Sequence, residues 1–330
     1  MLIWITGVVL LLLLGVTCLI LYCYNTCFFS SKNRKEDPYS LLDGEQYTAL
    51  SEGIFFCTQK MEEAPCEFVS IRSYDGLTLS GRYYHHNDGA PLLILFHGYR
   101  SMALRDSAGG FILGKKAGFN VIAVDQRAHG RSEGTVITFG VRERWDCLKW
   151  IQYANDRFGE DTPIIISGLS MGAATVLMAS SLPLPDNVVG IMADCPYSSP
   201  AKIIRKVARD RGIPDNLAYP FIRLSAKLIG KFDLEASSAE QEVQKATLPI
   251  LLLHGEDDRF VPCDMSRQIA ASCISYHELH TFPDAGHGLC YTIDPAHYED
   301  VVVHFLHSIP KLQKHMENNA FSMEILKGSL

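Results

Sequence analysis

The stretch from Ile164 to Ala174 constrains this chain more than any other. Three isoleucines, a β-branched run too short for a helix, lead into Gly168-Leu169-Ser170-Met171-Gly172, and small residues in a helical pattern follow. The frame is strand, sharp turn, helix. A turn that tight forces a strained backbone on its central serine, and side chains two residues to either side would collide, so glycine is wanted at both flanks. The Ser170 hydroxyl then stands clear of a sheet edge, where a nucleophile belongs. The pentapeptide alone recurs by chance; the strand before it and the helix after it give it weight.

A strand that presents a serine this way needs neighbours. Continuous apolar runs at Pro91–Phe96, Asn120–Val124, Pro163–Ile166, Val188–Ala193 and Pro249–Leu253 suit strands buried on both faces. Helical patterns at Leu104–Ala117, Val141–Phe158 and Met171–Ser181 alternate with them, which implies a parallel sheet wrapped on both sides. Ahead of these, Glu67–Arg72 and Leu77–Tyr84 alternate apolar with polar residues around Tyr74-Asp75-Gly76, the signature of an antiparallel hairpin. A last strand is expected near Tyr276–Phe282 and a last helix over Asp294–Ile309. Between Asp194 and Leu248 the chain is far longer than an ordinary connection, and its content is helical. We expect residues 196–247 to form an inserted cap that serves as a lid; a structural excursion away from the site is the alternative.

The N-terminus reads differently. Leu2 to Leu21 carries no charge and is about the length that crosses the hydrocarbon core of a bilayer. A transmembrane anchor over residues 1–25 is expected in preference to a cleaved signal peptide, because no Lys or Arg precedes the apolar run and no small-residue cleavage site follows it. Lys32, Arg34 and Lys35 just beyond the span place the remainder on the cytoplasmic side by the positive-inside rule. Residues 26–65 read as a polar juxtamembrane linker with a short helix near Glu45–Leu50 and no chemistry. Residues 66–309 are the globular domain, and 310–330 a loosely held tail without sustained periodicity.

Composition excludes other classes. The net charge of −7 comes with no basic stripe, so a nucleic-acid partner has no electrostatic footing. Ten cysteines fall without CxxC or metal-type spacing, which suggests neither a disulfide framework nor a zinc site and agrees with a reducing compartment.

Strands of a parallel sheet end on one side, so the residues just after them converge on a single rim. Ser170 is one such residue. A carboxylate from Leu253-His254-Gly255-Glu256-Asp257-Asp258 is a second, and His287 in Ala285-Gly286-His287-Gly288 a third. Their order, serine then acid then histidine, is that of one convergent triad. A serine hydroxyl is a poor nucleophile until an imidazole takes its proton, and a carboxylate must hold that imidazole in the right tautomer. His287 is the expected base and Asp258 or Asp257 the orienter. Asp194, at the end of the preceding strand, reads better as a turn residue. Backbone N–H groups of Met171 and of Tyr99, in Phe96-His97-Gly98-Tyr99, are candidate donors to the oxyanion that forms on attack. His97, His129 and His254 sit in tight turns where bonding to backbone is their expected work, Cys195 and Cys290 are expected to be inert thiols, and Tyr291 is a pocket wall or a core residue.

Taken together, His97-Gly98-Tyr99, Asp125 to Ser132, the Gly168–Gly172 elbow, His254-Gly255 to Val261-Pro262 and Ala285 to Gly288 resemble the successive motifs of the α/β-hydrolase superfamily over roughly Glu67 to Ile309. The pattern is most similar to the serine aminopeptidase and monoglyceride lipase-like branch, which includes membrane-anchored bacterial members. The resemblance implies a mostly parallel eight-stranded sheet with a cap, a triad of Ser170, Asp258 and His287, an oxyanion hole at Tyr99 and Met171, and no cofactor or metal. It favours Asp258 over Asp257, because the acid stands three residues before Val261-Pro262. Ala128, where many relatives carry glycine, departs from the pattern at a turn. The expected function is a monomeric serine hydrolase acting on a small-molecule or lipid-like acyl substrate with an ester, thioester or amide bond. An aminopeptidase and a non-catalytic binding scaffold are the alternatives.

Overall fold

A computed structural model describes residues 1–31 and 37–318. Lys32, Arg34 and Lys35, on which the expected orientation rests, lie outside the described residues, as does the chain beyond 318.

The chain opens with α1 (Leu2–Cys27), α2 (Glu45–Ala49) and α3 (Ser51–Glu63). The hairpin β1 (Glu67–Arg72) and β2 (Thr78–Tyr84) follows, then β3 (Leu92–Phe96), α4 (Ala103–Asp106), α5 (Ala108–Lys116), β4 (Asn120–Val124) and α6 (Glu143–Phe158). Next come β5 (Ile164–Leu169), α7 (Met171–Ala179), β6 (Val188–Asp194), and the inserted α8 (Pro200–Asp210), α9 (Asp215–Ser225), a π-helical segment Ala226–Gly230 and α10 (Ala239–Glu242). β7 (Ile250–Gly255), α11 (Asp264–Ser272), β8 (His277–Phe282), α12 (Cys290–Ile293), α13 (Pro295–His307) and α14 (Pro310–Asn318) complete it.

The eight strands form one sheet in the order β1-β2-β4-β3-β5-β6-β7-β8. β1 and β2 pair antiparallel, β2 meets β4 antiparallel, and the remaining pairs are parallel. The apolar runs are explained by the period of two along a strand. In β3, Leu93 and Leu95 enter the core under α5, α13 and α14, while Leu92, Ile94 and Phe96 enter the core under α6 and α7. β4 and β7 divide Val121–Val124 and Ile250–Leu253 the same way, so both faces of those runs must be apolar.

A third core holds the cap, and there the structure departs from expectation. Ile203, Ile204, Tyr219, Ile222 and Ala226 pack onto Met171, Ala174 and Met178 of α7, and also onto Cys23, Tyr24 and Phe28 at the end of α1. α1 is therefore exposed from Ile3 to Leu19 but docked from Ile20 onward, at the spacing Ile20, Cys23, Tyr24, Cys27, Phe28. Two further readings are corrected. Residues 26–65 are no free linker: Phe28 is fully buried, Phe29 bridges to Val136, and α3 packs against α5 through Met61. The start of the expected tail is α14, held down by buried Leu312 and Met316 at helical spacing.

Candidate active site

Ser170 sits between β5 and α7 with φ 55° and ψ −113°, backbone that a residue with a Cβ adopts only under constraint. The constraint comes from both glycines. A Cβ on Gly168 would lie 2.3 Å from the carbonyl carbon of Gly172, and one on Gly172 would lie 2.0 Å from the carbonyl oxygen of Phe96. β5, α7 and β3 can approach this closely only because both side chains are hydrogen, as the elbow motif demands.

The rim does bring the distant residues together. The Ser170 Oγ lies 2.9 Å from His287 Nε2, and His287 Nδ1 lies 2.6 Å from Asp258 Oδ2. All three are at least nine-tenths buried. Asp258 Oδ1 accepts the N–H groups of Phe260 at 2.9 Å and Val261 at 2.7 Å, which accounts for the three-residue spacing to Val261-Pro262. Asp257 is exposed and takes no part in that line. Burial acts to raise the pKa of Asp258, but the charges and hydrogen bonds of His287 and His254 outweigh it and hold the carboxyl well below the usual range. For His287 burial acts downward, and the nearby carboxylates of Asp258, Asp194 and Asp106 override it, so its pKa lies above that of a free imidazole.

The loop after β3 faces the serine. Gly98 donates its N–H to Asp106 Oδ2 at 2.8 Å, and Arg100, with φ 52°, donates its N–H to His129 Nε2 at 3.0 Å. These two bonds bracket Tyr99. Met171 is the first residue of α7, so its N–H is among the donors a helix cannot satisfy internally. The side chain of Tyr99 stacks on Phe139 with ring centroids 5.0 Å apart and donates its hydroxyl to the carbonyl of Cys27 at 2.9 Å. The Arg100 guanidinium donates to the carbonyls of Thr26 at 2.8 Å and Phe29 at 3.2 Å. The end of α1 is thus bonded to the loop opposite the serine, a connection that no local pattern in the sequence signals.

The turn histidines do what tight turns ask of them. His97 accepts from the Gln126 N–H at 3.0 Å, which leaves Nδ1–H to donate to the Gly98 carbonyl. His129 accepts from Arg100 in the same way and faces the Arg127 carbonyl with Nδ1. His254 has an additional role, with Nε2 standing 3.3 Å from Asp258 Oδ2 as well as 2.8 Å from the Val261 carbonyl. Ala128 adopts φ 64°, which is why glycine suits that turn. Asp194 is buried with Oδ2 accepting from the Tyr298 hydroxyl at 3.1 Å, and does not reach His287 by a hydrogen bond. Burial pushes the thiols of Cys195 and Cys290 upward, away from the reactive thiolate. Cys195, Asp258 and His287 lie close enough to suggest a metal trio, yet both ring nitrogens of His287 are already engaged, so the set fits a proton relay instead.

A cavity of about 1200 Å³ opens on Ser170 and His287. None of its lining comes from residues 196–247, so the expectation of the cap as a lid is overturned. The segment Ser40–Tyr47 lines it instead, with Ile54 and Cys57 of α3 and Tyr291, which is a pocket wall. Tyr47 donates its hydroxyl to the backbone carbonyl of His287 at 2.8 Å, and Gln46 donates to the carbonyl of Asp284 at 3.1 Å. Sequence reasoning gave this segment no chemistry because its contacts span more than 230 residues of chain.

Comparison with known proteins agrees with this geometry. The profile of the alpha/beta hydrolase family matches residues 93–302. The chain belongs to that family. Among relatives of this hydrolase, the uncharacterized protein YqkD of Bacillus subtilis is 24% identical over 254 residues, spanning 77% of this chain and 82% of the relative. A bifunctional esterase/perhydrolase of Acinetobacter calcoaceticus is 22% identical over 270 residues, 66% of this chain and 92% of the relative. An esterase of Pyrococcus furiosus superposes with a TM-score of 0.62 at 22% identity, covering 84% of this chain and 98% of the esterase. The hydrolase therefore shares the fold of esterases.

Proposed function

We propose that this hydrolase is a membrane-anchored serine esterase that works through an acyl-enzyme on Ser170. His287 Nε2 takes the hydroxyl proton as Oγ attacks the acyl carbon, and Asp258 holds the ring and balances the imidazolium that results. The N–H groups of Tyr99 and Met171 receive the oxyanion. Collapse of the tetrahedral adduct expels the alcohol with the proton that His287 carried, and water repeats the cycle to release the acid. The observation that carries this reading is the continuous hydrogen-bonded line from Asp258 through His287 to a strained serine beside an open cavity. A carboxylic ester is favoured over a thioester or amide by the esterase relatives, and the roomy cavity suits a long acyl chain. α1 would cross the bilayer, with the domain on the cytoplasmic side.

Labelling with a fluorophosphonate tests the chemistry. Wild type should react and Ser170→Ala should not; a folded wild type that stays unlabelled leaves only a binding scaffold. Short acyl esters, long acyl esters and aminoacyl amides offered in parallel separate esterase from aminopeptidase. Faster turnover of the amides would overturn the ester assignment. Protease protection of the domain in sealed vesicles tests its side of the membrane.

A further inference from the structure

The cap does not cover the cavity, and its outer surface is unusual. Along α9 and the π-helical segment, one face is buried through Tyr219, Ile222, Ser225 and Ala226. The opposite face carries Leu217, Leu224 and Leu228, which are 65%, 39% and 53% exposed, with Pro220 between them, and Ile213, 47% exposed, lies just ahead of the helix. Leu217, Pro220, Leu224 and Leu228 follow helical spacing along one stripe, so the outer side of the helix carries apolar residues as the inner side does. Water-facing helices reserve that outer side for charge. The other large exposed apolar side chains of the globular part, such as Phe68, Trp145 and Ile274, do not form such a stripe along one element.

Position says what covers the stripe. α9 packs directly on the end of α1, with Tyr219, Ile222 and Ala226 in the same core as Cys23, Tyr24 and Phe28. Packed helices stand about 8–10 Å apart, so α9, which carries the stripe on its outer side, is a direct neighbour of the docked end of α1. On either side of Ile20, where docking begins, α1 presents Leu19 and Leu21, 40% and 46% exposed. Exposed apolar side chains are thus carried by both of two helices that pack directly on one another. Exposed Arg211 and Lys231 flank the stripe in sequence and Lys227, paired with Asp233, lies within it, as cations do on helices that lie at a lipid headgroup layer.

We propose that the cap is a second membrane contact, with Ile213, Leu217, Leu224 and Leu228 inserted into the bilayer interface beside α1. This rests on the reading of α1 as a membrane span. Two attachments fix the tilt of the domain where a single span would leave it free to swing, and they keep the loop of Tyr99 and Arg100 at the lipid surface.

The full chain in phosphatidylcholine nanodiscs, with and without bromine on the acyl chains, provides the test. Bromine quenches tryptophan in contact with lipid, and the native Trp4, near the start of α1, reports on the span itself. Leu217→Trp and Leu224→Trp, each measured against the parent chain, should lose most of their added emission on brominated lipid, whereas Ile274→Trp should lose almost none. Unchanged circular dichroism establishes that each variant is folded. If Trp4, read from the Trp4→Phe difference, is quenched while positions 217 and 224 are not, the cap contact is overturned and the span survives. If Trp4 is not quenched either, both fall.

Discussion

Two stretches flank the catalytic sheet, and their roles are the reverse of what their length suggests. The inserted cap is the long excursion beside the rim, yet it lines none of the cavity. The residues before β1, which read as a linker, supply the cavity wall through Ser40–Tyr47 and α3. The difference lies in what each stretch has to bury. The cap has a wide apolar face and an apolar partner at the end of α1, so it settles over α7 and that end of α1. α2 is too short for a buried face of its own, and is placed by hydrogen bonds from Gln46 and Tyr47 to the backbone of the His287 loop. Length in sequence says that a segment must pack somewhere; the apolar surface on offer decides where.

Truncation should break this comparison most sharply. Removing residues 2–17 takes away helix that is exposed from Ile3 on, and the domain should fold and label as before. Removing residues 2–29 strips Tyr24 and Phe28 from the third core, where loss of a buried phenylalanine alone costs about 3–5 kcal/mol. Fluorophosphonate labelling should then fall to background, and full labelling of the shorter protein would mean that the anchor end is dispensable. Ile222→Ala comes next. It should destabilise the protein by about 2–5 kcal/mol, seen as a melting temperature lower by on the order of 10 °C, with kcat/KM for each ester unchanged at temperatures where it is folded. A shift in acyl-chain preference would return the cap to the role of lid.

Cys57→Trp, in the cavity wall, should do the opposite. Stability should hardly change, while kcat/KM for long acyl esters falls about 10-fold or more relative to short ones. The smallest effect is expected from Tyr47→Phe, which deletes one hydrogen bond worth about 1 kcal/mol and should lower kcat/KM about fivefold. The pH profile of that variant sharpens the point. Protonated His287 cannot accept the serine proton, and its pKa lies above the ordinary 6.5, so kcat/KM should rise with pH on the alkaline side of 6.5. Tyr47→Phe should keep that limb in place, because the hydroxyl meets the backbone of His287 and not its ring.

How much of this could be read in advance follows from the range of each interaction. The meeting of Ser170, Asp258 and His287 was legible because each follows a strand within five residues, and glycine at 168 and 172 leaves a mark in sequence wherever backbones nearly touch. Period two with both faces apolar fixed β3, β4 and β7. Contacts made between distant segments left no such mark. Neither the bond from His254 to Asp258, nor the support of Gly98 by Asp106, nor the docking of α14 has a local pattern to announce it. Asp257 and Asp258 could be told apart only by resemblance, since the two backbone amides that single out Asp258 belong to a turn whose path the residue types alone do not give.

Tyr99 and Arg100 grip the last carbonyls of α1 with one hydroxyl and one guanidinium. The N-terminal helix and the loop opposite Ser170 are thereby joined like the handle and jaw of one tool. A version cut back past Cys27 would lose those grips, and rates measured on it would describe a protein whose loop opposite Ser170 lacks them.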